Sequence, residues 1–166
     1  NDSSAWPAAS LPDRLKWVAA FRRRVAASLD ELCDLAEADT GKPRRETLTA
    51  DLMPILANAR WLEKRGASIL KPRTLRGGGL LGMGKTVTVR REPVGRVAII
   101  ATWNYPLGLL GVELLAALAA GNRVVVKPSE NAARSQAALL RLAFAAGLPN
   151  DALSSVEPTR EAGEAL

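Results

Sequence analysis

The chain has 166 residues, of which 48% are hydrophobic and 24% charged, and its formal net charge is +6. This length is typical of one domain, and the hydrophobic fraction suffices for a packed core and excludes a disordered chain. One cysteine and no histidine exclude an internal disulfide framework, a multi-cysteine metal site and histidine-based triads.

The excess of basic residues is a property that nucleic-acid-binding and membrane-binding proteins share. We interpret it here as a solvated surface, because arginines such as those at residues 22–24 fall on the exterior of a predicted helix. No secretory signal is visible at the N-terminus. We therefore expect a cytoplasmic protein without nucleic-acid or membrane partners.

The front of the chain is predicted to be helical. After a loose segment over residues 1–9, anchored only by Trp6, Ser10 caps a helix with apolar residues at helical spacing. A capping-box pattern at Ser28 begins a second, short helix, and Gly41 ends it. These helices carry no evident site chemistry.

A third helical segment covers residues 44–70, and Pro54 should kink or divide it. The sole cysteine, Cys33, lies on the preceding short helix beside several carboxylates, which disfavour a thiolate. We interpret Cys33 as a small packing residue.

A glycine-rich linker follows over residues 71–84. It overlaps the sequence GLLGMGKT at residues 79–86, which matches the P-loop pattern of nucleotide hydrolases. No apolar strand precedes the pattern and no helix follows it, so we favour a flexible loop. Residues 85–92 alternate with period two and predict a strand with one wet face, for which the chain offers no obvious partner.

The centre of the chain predicts a βαβ unit. Two short, β-branched runs at residues 97–101 and 123–126 flank an apolar helix over residues 107–120, which Gly121 ends. Such runs are typical of parallel strands covered on both faces, joined by a right-handed crossover. A membrane span is a rival for the almost uncharged window, but Asn104 and Pro106 interrupt it.

Polar residues follow both strands of this unit, at the edge where parallel sheets bind ligands. Asn104, after Trp103, can offer an amide N–H to a developing oxyanion. Lys127 and Glu130 can reach the hydroxyls of a nucleotide ribose. An amphipathic helix over residues 131–146, a short strand at 153–156 and the start of a helix at Thr159 complete the chain.

Several separated motifs together resemble the aldehyde dehydrogenase superfamily in order and spacing. They are DTGKP at residues 39–43, REPVG at 91–95, TWNYP at 102–106, AGN at 120–122, KPSE at 127–130 and AGLP at 146–149. The resemblance implies an α/β fold in which N-terminal helices precede the first βαβ units of a Rossmann-like parallel sheet, as an incomplete aldehyde-dehydrogenase-like fold. It divides the chain into a helical part and linker (1–83), an arm strand of the oligomerisation type (84–93) and the first part of an NAD(P)-binding domain (94–166).

The resemblance also implies a chemistry. Members of the family oxidise aldehydes with NAD or NADP: a cysteine thiolate attacks the aldehyde, hydride passes to the nicotinamide, and water releases the acid. By position, Asn104 would donate its amide to the oxyanion, and Lys127 and Glu130 would hold the adenosine ribose. The implied cofactor-binding residues are Ile100, Ala101, Thr102, Trp103, Lys127, Ser129, Glu130 and Gly163.

Structural readings of these residues stay open. Asn104 is also suited to cap the following helix, and Ile100 and Trp103 to ordinary core packing. Lys127 and Glu130 also suit an ion pair at a helix start.

The resemblance ends before the family's catalytic cysteine, general-base glutamate and nicotinamide loop, and Cys33 does not match the nucleophile. We therefore predict the N-terminal portion of an NAD-dependent enzyme, with NADP possible, that is inactive alone, exposes apolar sheet surface and belongs to a homo-oligomer acting on an aldehyde. The alternative is a non-catalytic nucleotide-binding or interaction module.

Overall fold

The computed structural model describes residues 5–77 and 84–166. The first part comprises α1 (Ala5–Ala8), α2 (Leu11–Ala27), α3 (Leu29–Thr40), α4 (Arg44–Glu46), a π-helical segment (Thr47–Leu52) and α5 (Met53–Leu70). The strands β1 (Arg73–Arg76) and β2 (Thr86–Val89) follow. The last part comprises β3 (Arg96–Ile100), α6 (Gly108–Ala119), β4 (Arg123–Lys127), a 3₁₀ turn (Glu130–Ala132), α7 (Ala133–Ala145), β5 (Leu153–Ser155) and α8 (Arg160–Glu164).

The strands β3, β4 and β5 form a parallel sheet in that order, which confirms the predicted α/β class and βαβ unit. Ile100 pairs with Lys127 at the end of the first pair of strands. Gly121, with φ of +93°, follows α6 at the position predicted for it. Gly147 and Leu148 donate to carbonyls of the last turn of α7, as the predicted helix stop requires.

Helices cover one face of the sheet. α6 packs on β3 and β4 and in turn against α2 and α5, while α7 packs against α2 and α3. Ile99 is buried, but Ala98 and Ile100 on the same strand are exposed. The prediction that β3 is covered on both faces is therefore wrong for this chain, and the prediction of exposed apolar sheet surface is confirmed.

The front helices supply the caps that α6 lacks. No side chain of its own caps its N-terminus; instead Asp51 accepts from the amides of Leu107 and Gly108 at 3.1 and 2.7 Å. At the other end, Arg14 Nε donates to the carbonyl of Ala119 at 3.0 Å. An acidic group at the N-terminus and a basic one at the C-terminus both complement the helix dipole.

The front helices hold α7 in the same way. The Asp39 carboxylate accepts from the backbone N–H of Ser135 at 2.8 Å and from Arg134 Nε at 2.7 Å, near the start of α7. The indole of Trp17 donates to the carbonyl of Ala143 at the other end. The helices that the sequence left without a role therefore fix both crossover helices behind the sheet.

Three predictions for the front of the chain are corrected, and a fourth, the division at Pro54, is confirmed. Ser28 precedes α3 but its side chain makes no cap hydrogen bond, so the capping box does not form. The predicted linker contains β1, which pairs antiparallel with β2, so β2 has a partner after all. β2 is exposed along most of both faces rather than one. Pro54 does mark a division, because the π-helical segment ends just before it, at Leu52.

The P-loop pattern lies partly outside the described residues, which omit 78–83. Its last residue, Thr86, begins a strand and not a helix, so no helix N-terminus is available there for phosphate. Among the residues that the structure describes, no helix is both long and apolar enough to cross a bilayer.

Candidate functional site

The ends of β3 and β4 bring the two predicted polar clusters to one edge of the sheet. The backbone N–H of Ala101 donates to the carbonyl of Lys127 at 3.0 Å, which continues the ladder one residue beyond the strands. Asn104 follows three residues after the first of these positions, and Glu130 three residues after the second. Both loops therefore leave the same edge of the sheet from neighbouring strands, as required for a shared site.

Four of the predicted cofactor residues line one cleft at this edge. The cleft has a volume of about 380 Å³ and is bounded by Ile100, Lys127, Glu130 and Gly163, together with Arg160 and Glu164 of α8. Lys127 and Glu130 stand 3.8 Å apart, which is also the helix-start ion pair that the sequence allowed. Charged groups and an apolar side chain thus converge on one concave surface, which is typical of a ligand site.

Gly163 lines this cleft next to the Lys127 stem. A Cβ atom at this position would lie 3.0 Å from Cδ of Lys127, closer than side chains normally approach. A larger residue there would require the Lys127 side chain to shift by a few tenths of an ångström. This close approach gives a steric reason for a glycine at position 163.

The loop over residues 102–106 carries Asn104 on its exposed side. Its side chain makes no hydrogen bond to a described residue, and Asp51 occupies the α6 amides that a capping Asn104 would use. The interpretation of Asn104 as a helix cap is therefore wrong. The exposed fractions of Ile100 and Trp103 are 61% and 57%, so neither is ordinary core.

The other predicted cofactor residues contribute differently. Thr102 is exposed on the loop, whereas Ala101 is buried and offers its backbone to the strand ladder. Ser129 is also buried, and its hydroxyl accepts from the backbone N–H of Asn131 to cap the 3₁₀ turn. In this chain, Ala101 and Ser129 shape the cleft and do not line it.

A buried ion pair contacts the end of the Asn104 loop and the start of α6. Lys42 Nζ lies 2.8 Å from the Asp51 carboxylate, whose other oxygen caps α6, and 4.2 Å from the centre of the Tyr105 ring. The Lys42 side chain is 10% exposed and that of Asp51 is fully buried. Sequence reasoning noted Lys42 within the DTGKP motif without giving it a function, and it missed Asp51 altogether.

Cys33 plays no part in this site. It is buried on α3, and its thiol lies 3.8 Å from the carbonyl oxygen of Arg44. Burial raises the pKa of this thiol above its ordinary value, which disfavours the nucleophilic thiolate. This geometry agrees with a packing role.

Comparison with known proteins places the site in a family context. The model of the aldehyde dehydrogenase family matches residues 1–166. The NADP/NAD-dependent aldehyde dehydrogenase PuuC of Escherichia coli is 36% identical over 93% of this chain and 32% of its own length. The 4,4'-diapolycopene aldehyde oxidase of a Methylomonas species is 35% identical over 75% of this chain and 24% of its own length.

A solved aldehyde dehydrogenase from Bacillus cereus, in complex with NAD⁺, superimposes with a TM-score of 0.86 at 26% identity, covering 99% of this chain and 32% of that one. The chain thus spans about a quarter to a third of the length of the relatives it matches. The full-length family match, the parallel sheet and the strand-end cleft lead to one conclusion: this chain belongs to the aldehyde dehydrogenase family, a family of oxidoreductases.

Proposed function

We propose that this chain is the N-terminal portion of an NAD(P)-dependent aldehyde dehydrogenase that oxidises an aldehyde to a carboxylic acid. The observation that carries the proposal is the shared strand edge: Lys127 ends β4 directly beside Ile100 of β3, and the Asn104 loop follows from there. One edge therefore holds a cleft lined by both basic and acidic groups, which we assign to a nucleotide, and a free carboxamide, which we assign to a reacting carbonyl.

The cleft residues suit the adenosine half of a dinucleotide. The Lys127 ammonium and the Glu130 carboxylate, 3.8 Å apart, can donate to and accept from the two hydroxyls of one ribose. Ile100 presents an exposed aliphatic side chain to the same space. When bound, the nicotinamide of such a cofactor supplies the hydride acceptor.

Asn104 is proposed to stabilise charge during the reaction. Its carboxamide is free to donate an N–H to the aldehyde oxygen as that oxygen becomes negative. Removing one such donor typically costs about 3–4 kcal/mol in the transition state. Because the sole cysteine is buried on α3, the chain alone has no cysteine nucleophile at this edge and should form no NADH from any aldehyde.

Titration calorimetry with NAD⁺ and with AMP tests the cofactor role. Lys127→Ala should weaken binding by roughly 10–100-fold, since a charge-assisted hydrogen bond contributes about 1.5–3 kcal/mol. Lys85→Ala, on the exposed segment before β2, is the matched control and should leave binding unchanged. Loss of binding in the Lys85 variant with no effect of Lys127 would favour the P-loop pattern and contradict the proposal.

Glu130 favours NAD over NADP in this scheme. Its carboxylate would repel a phosphate on the ribose 2′ oxygen, so NADP⁺ should bind more weakly than NAD⁺. Glu130→Gln removes the charge and retains a hydrogen-bonding group, so it should narrow the difference between the two affinities. An unchanged ratio would show that Glu130 does not face the ribose.

We also propose association of copies of the chain through the β1–β2 arm. Leu75 and Val87 pair directly across it and are 47% and 54% exposed. Val87→Lys should therefore lower the mass measured by light scattering, whereas Thr88→Lys on the opposite face of the strand should do so less. Equal masses for the parent and the Val87 variant would remove the arm from the interface.

The intact mass of the protein from its native source separates the enzyme from a short, non-catalytic binding module. A mass near that of its relatives, with a cysteine beyond residue 166, is the result expected here. A native protein of 166 residues that binds NAD⁺ would favour the module.

A further inference from the structure

The carboxamide of Gln136 lies between the two loops of the candidate site. Gln136 is on α7 and is fully buried. Its Nε2 donates to the carbonyls of Thr102 and Pro106 at 2.8 and 3.1 Å. Its Oε1 accepts from the backbone N–H of Ser129 at 2.8 Å. One side chain thus contacts the Asn104 loop and the Lys127–Glu130 loop together.

The arrangement uses the full donor capacity of the amide. The two N–H groups of Nε2 bond carbonyls that lie two residues before and two residues after Asn104, so a single nitrogen closes the base of that loop. The orientation is unambiguous, because both carbonyls can only accept and the Ser129 N–H can only donate. A reversed amide would leave three buried or partly buried backbone groups without partners, which is costly.

We propose that Gln136 is a positioning residue that holds the Asn104 loop at a fixed separation from the ribose-binding loop. The proposal rests on the proposed function for the roles of the two loops. Its physical content is independent of that function: both loops should lose order when the amide is removed, even without cofactor.

The Ser129 amide and the Trp103 ring report the two loops separately. Hydrogen exchange measures the first, since Gln136 is its direct partner. ¹⁹F NMR of 5-fluorotryptophan protein measures the second; the chain has four tryptophans, and Trp103→Phe assigns the resonance. In the parent protein, the side-chain amide protons of Gln136 should exchange slowly, and this can be measured without any variant.

Two substitutions of Gln136 should separate the two contacts. Gln136→Met removes all three hydrogen bonds. The hydrogen-exchange rate of the Ser129 backbone amide should therefore rise by about tenfold or more, and the Trp103 resonance should shift and narrow. Gln136→Glu keeps an acceptor for Ser129 but offers the two loop carbonyls at most one donor, the O–H of its protonated form. This variant should therefore shift the Trp103 resonance while the Ser129 amide largely keeps its protection from hydrogen exchange. General destabilisation would change both readouts together.

Asn122 provides the matched control. It is another buried amide, at the opposite end of β4, where it accepts from the N–H of Gly95 and donates to the carbonyl of Ala117. Asn122→Leu should lower stability without selectively changing Trp103 or Ser129. Three results would overturn the proposal. The first is a Ser129 exchange rate and a Trp103 resonance that do not change in Gln136→Met, and the second is the same changes in the Asn122 variant. The third is fast exchange of the Gln136 side-chain amide in the parent protein. The NAD⁺ titrations test Lys127 separately, so failure of one proposal is distinguishable from failure of the other.

Discussion

The buried ion pair between Lys42 and Asp51 leads to a direct prediction about stability. Lys42→Met removes an ammonium group that lies 2.8 Å from a fully buried carboxylate and keeps the length of the side chain. Removing one partner of a buried pair costs about 3–5 kcal/mol. We expect a loss of about 3 kcal/mol, at the lower end, because Asp51 keeps two backbone N–H donors at the start of α6.

Urea unfolding followed by circular dichroism measures this loss. For a chain of this size about 1 kcal/mol corresponds to about 2–4 °C, so the thermal midpoint should fall by about 6–12 °C. Asp51→Asn in the Lys42→Met background should recover part of the stability, because a neutral amide needs no counter-charge and still offers an oxygen to the α6 amides. The two single losses should therefore not add.

Lys16→Met is the control for this pair. Lys16 contacts Asp13 at 2.9 Å, but both side chains are exposed, so the midpoint should not change. Additive losses in the double variant, or a Lys42 variant as stable as the Lys16 variant, would refute the assignment of Lys42 and Asp51 as a structural pair beneath the Asn104 loop.

Two further predictions concern the core. Gly111→Ala places a Cβ atom 2.5 Å from Cδ1 of Ile55, so it should lower the free energy of unfolding by about 1–3 kcal/mol. In denaturant titrations, Ile55→Val should recover part of that loss. A fully stable Gly111 variant would contradict the packing of α5 on α6. Burial raises the pKa of the Cys33 thiol in the folded state above its value in the unfolded state. The stabilisation that this difference gives is therefore fully present below about pH 8.5, the ordinary thiol pKa, and is lost as the pH rises further. The free energy of unfolding should therefore fall above that pH, and less steeply in Cys33→Ala. Cys33 should also react with iodoacetamide more slowly in the folded protein than in urea. Equal slopes of unfolding free energy against pH, or equal rates of alkylation, would exclude the effect.

The central βαβ unit was predictable because its signals are local. β-Branched runs marked β3 and β4, and Gly121 marked the end of α6. The strand ends then placed Asn104 and Lys127 at one edge, because parallel strands bring their carboxyl ends together. The sequence did not show that one face of the sheet stays open, since that depends on which segments pack there.

The residues that hold the site were not predictable because their partners are distant in sequence. Asp51 caps a helix that begins 57 residues later, and Gln136 bonds Thr102 across 34 residues. Neither residue forms a local motif. β1 was missed for a related reason: its short sequence RTLR acquires strand character only through pairing with β2.

Mapping the binding of AMP on the chain by NMR tests directly whether a nucleotide binds at the ends of β3 and β4. We predict that the changes in backbone chemical shift cluster at Ile100, at residues 127–130 and at 160–164, and that they disappear in Lys127→Ala. Shifts confined to residues 79–86 or to the outer helices, or an unchanged pattern in the Lys127 variant, would contradict a nucleotide site at the ends of β3 and β4.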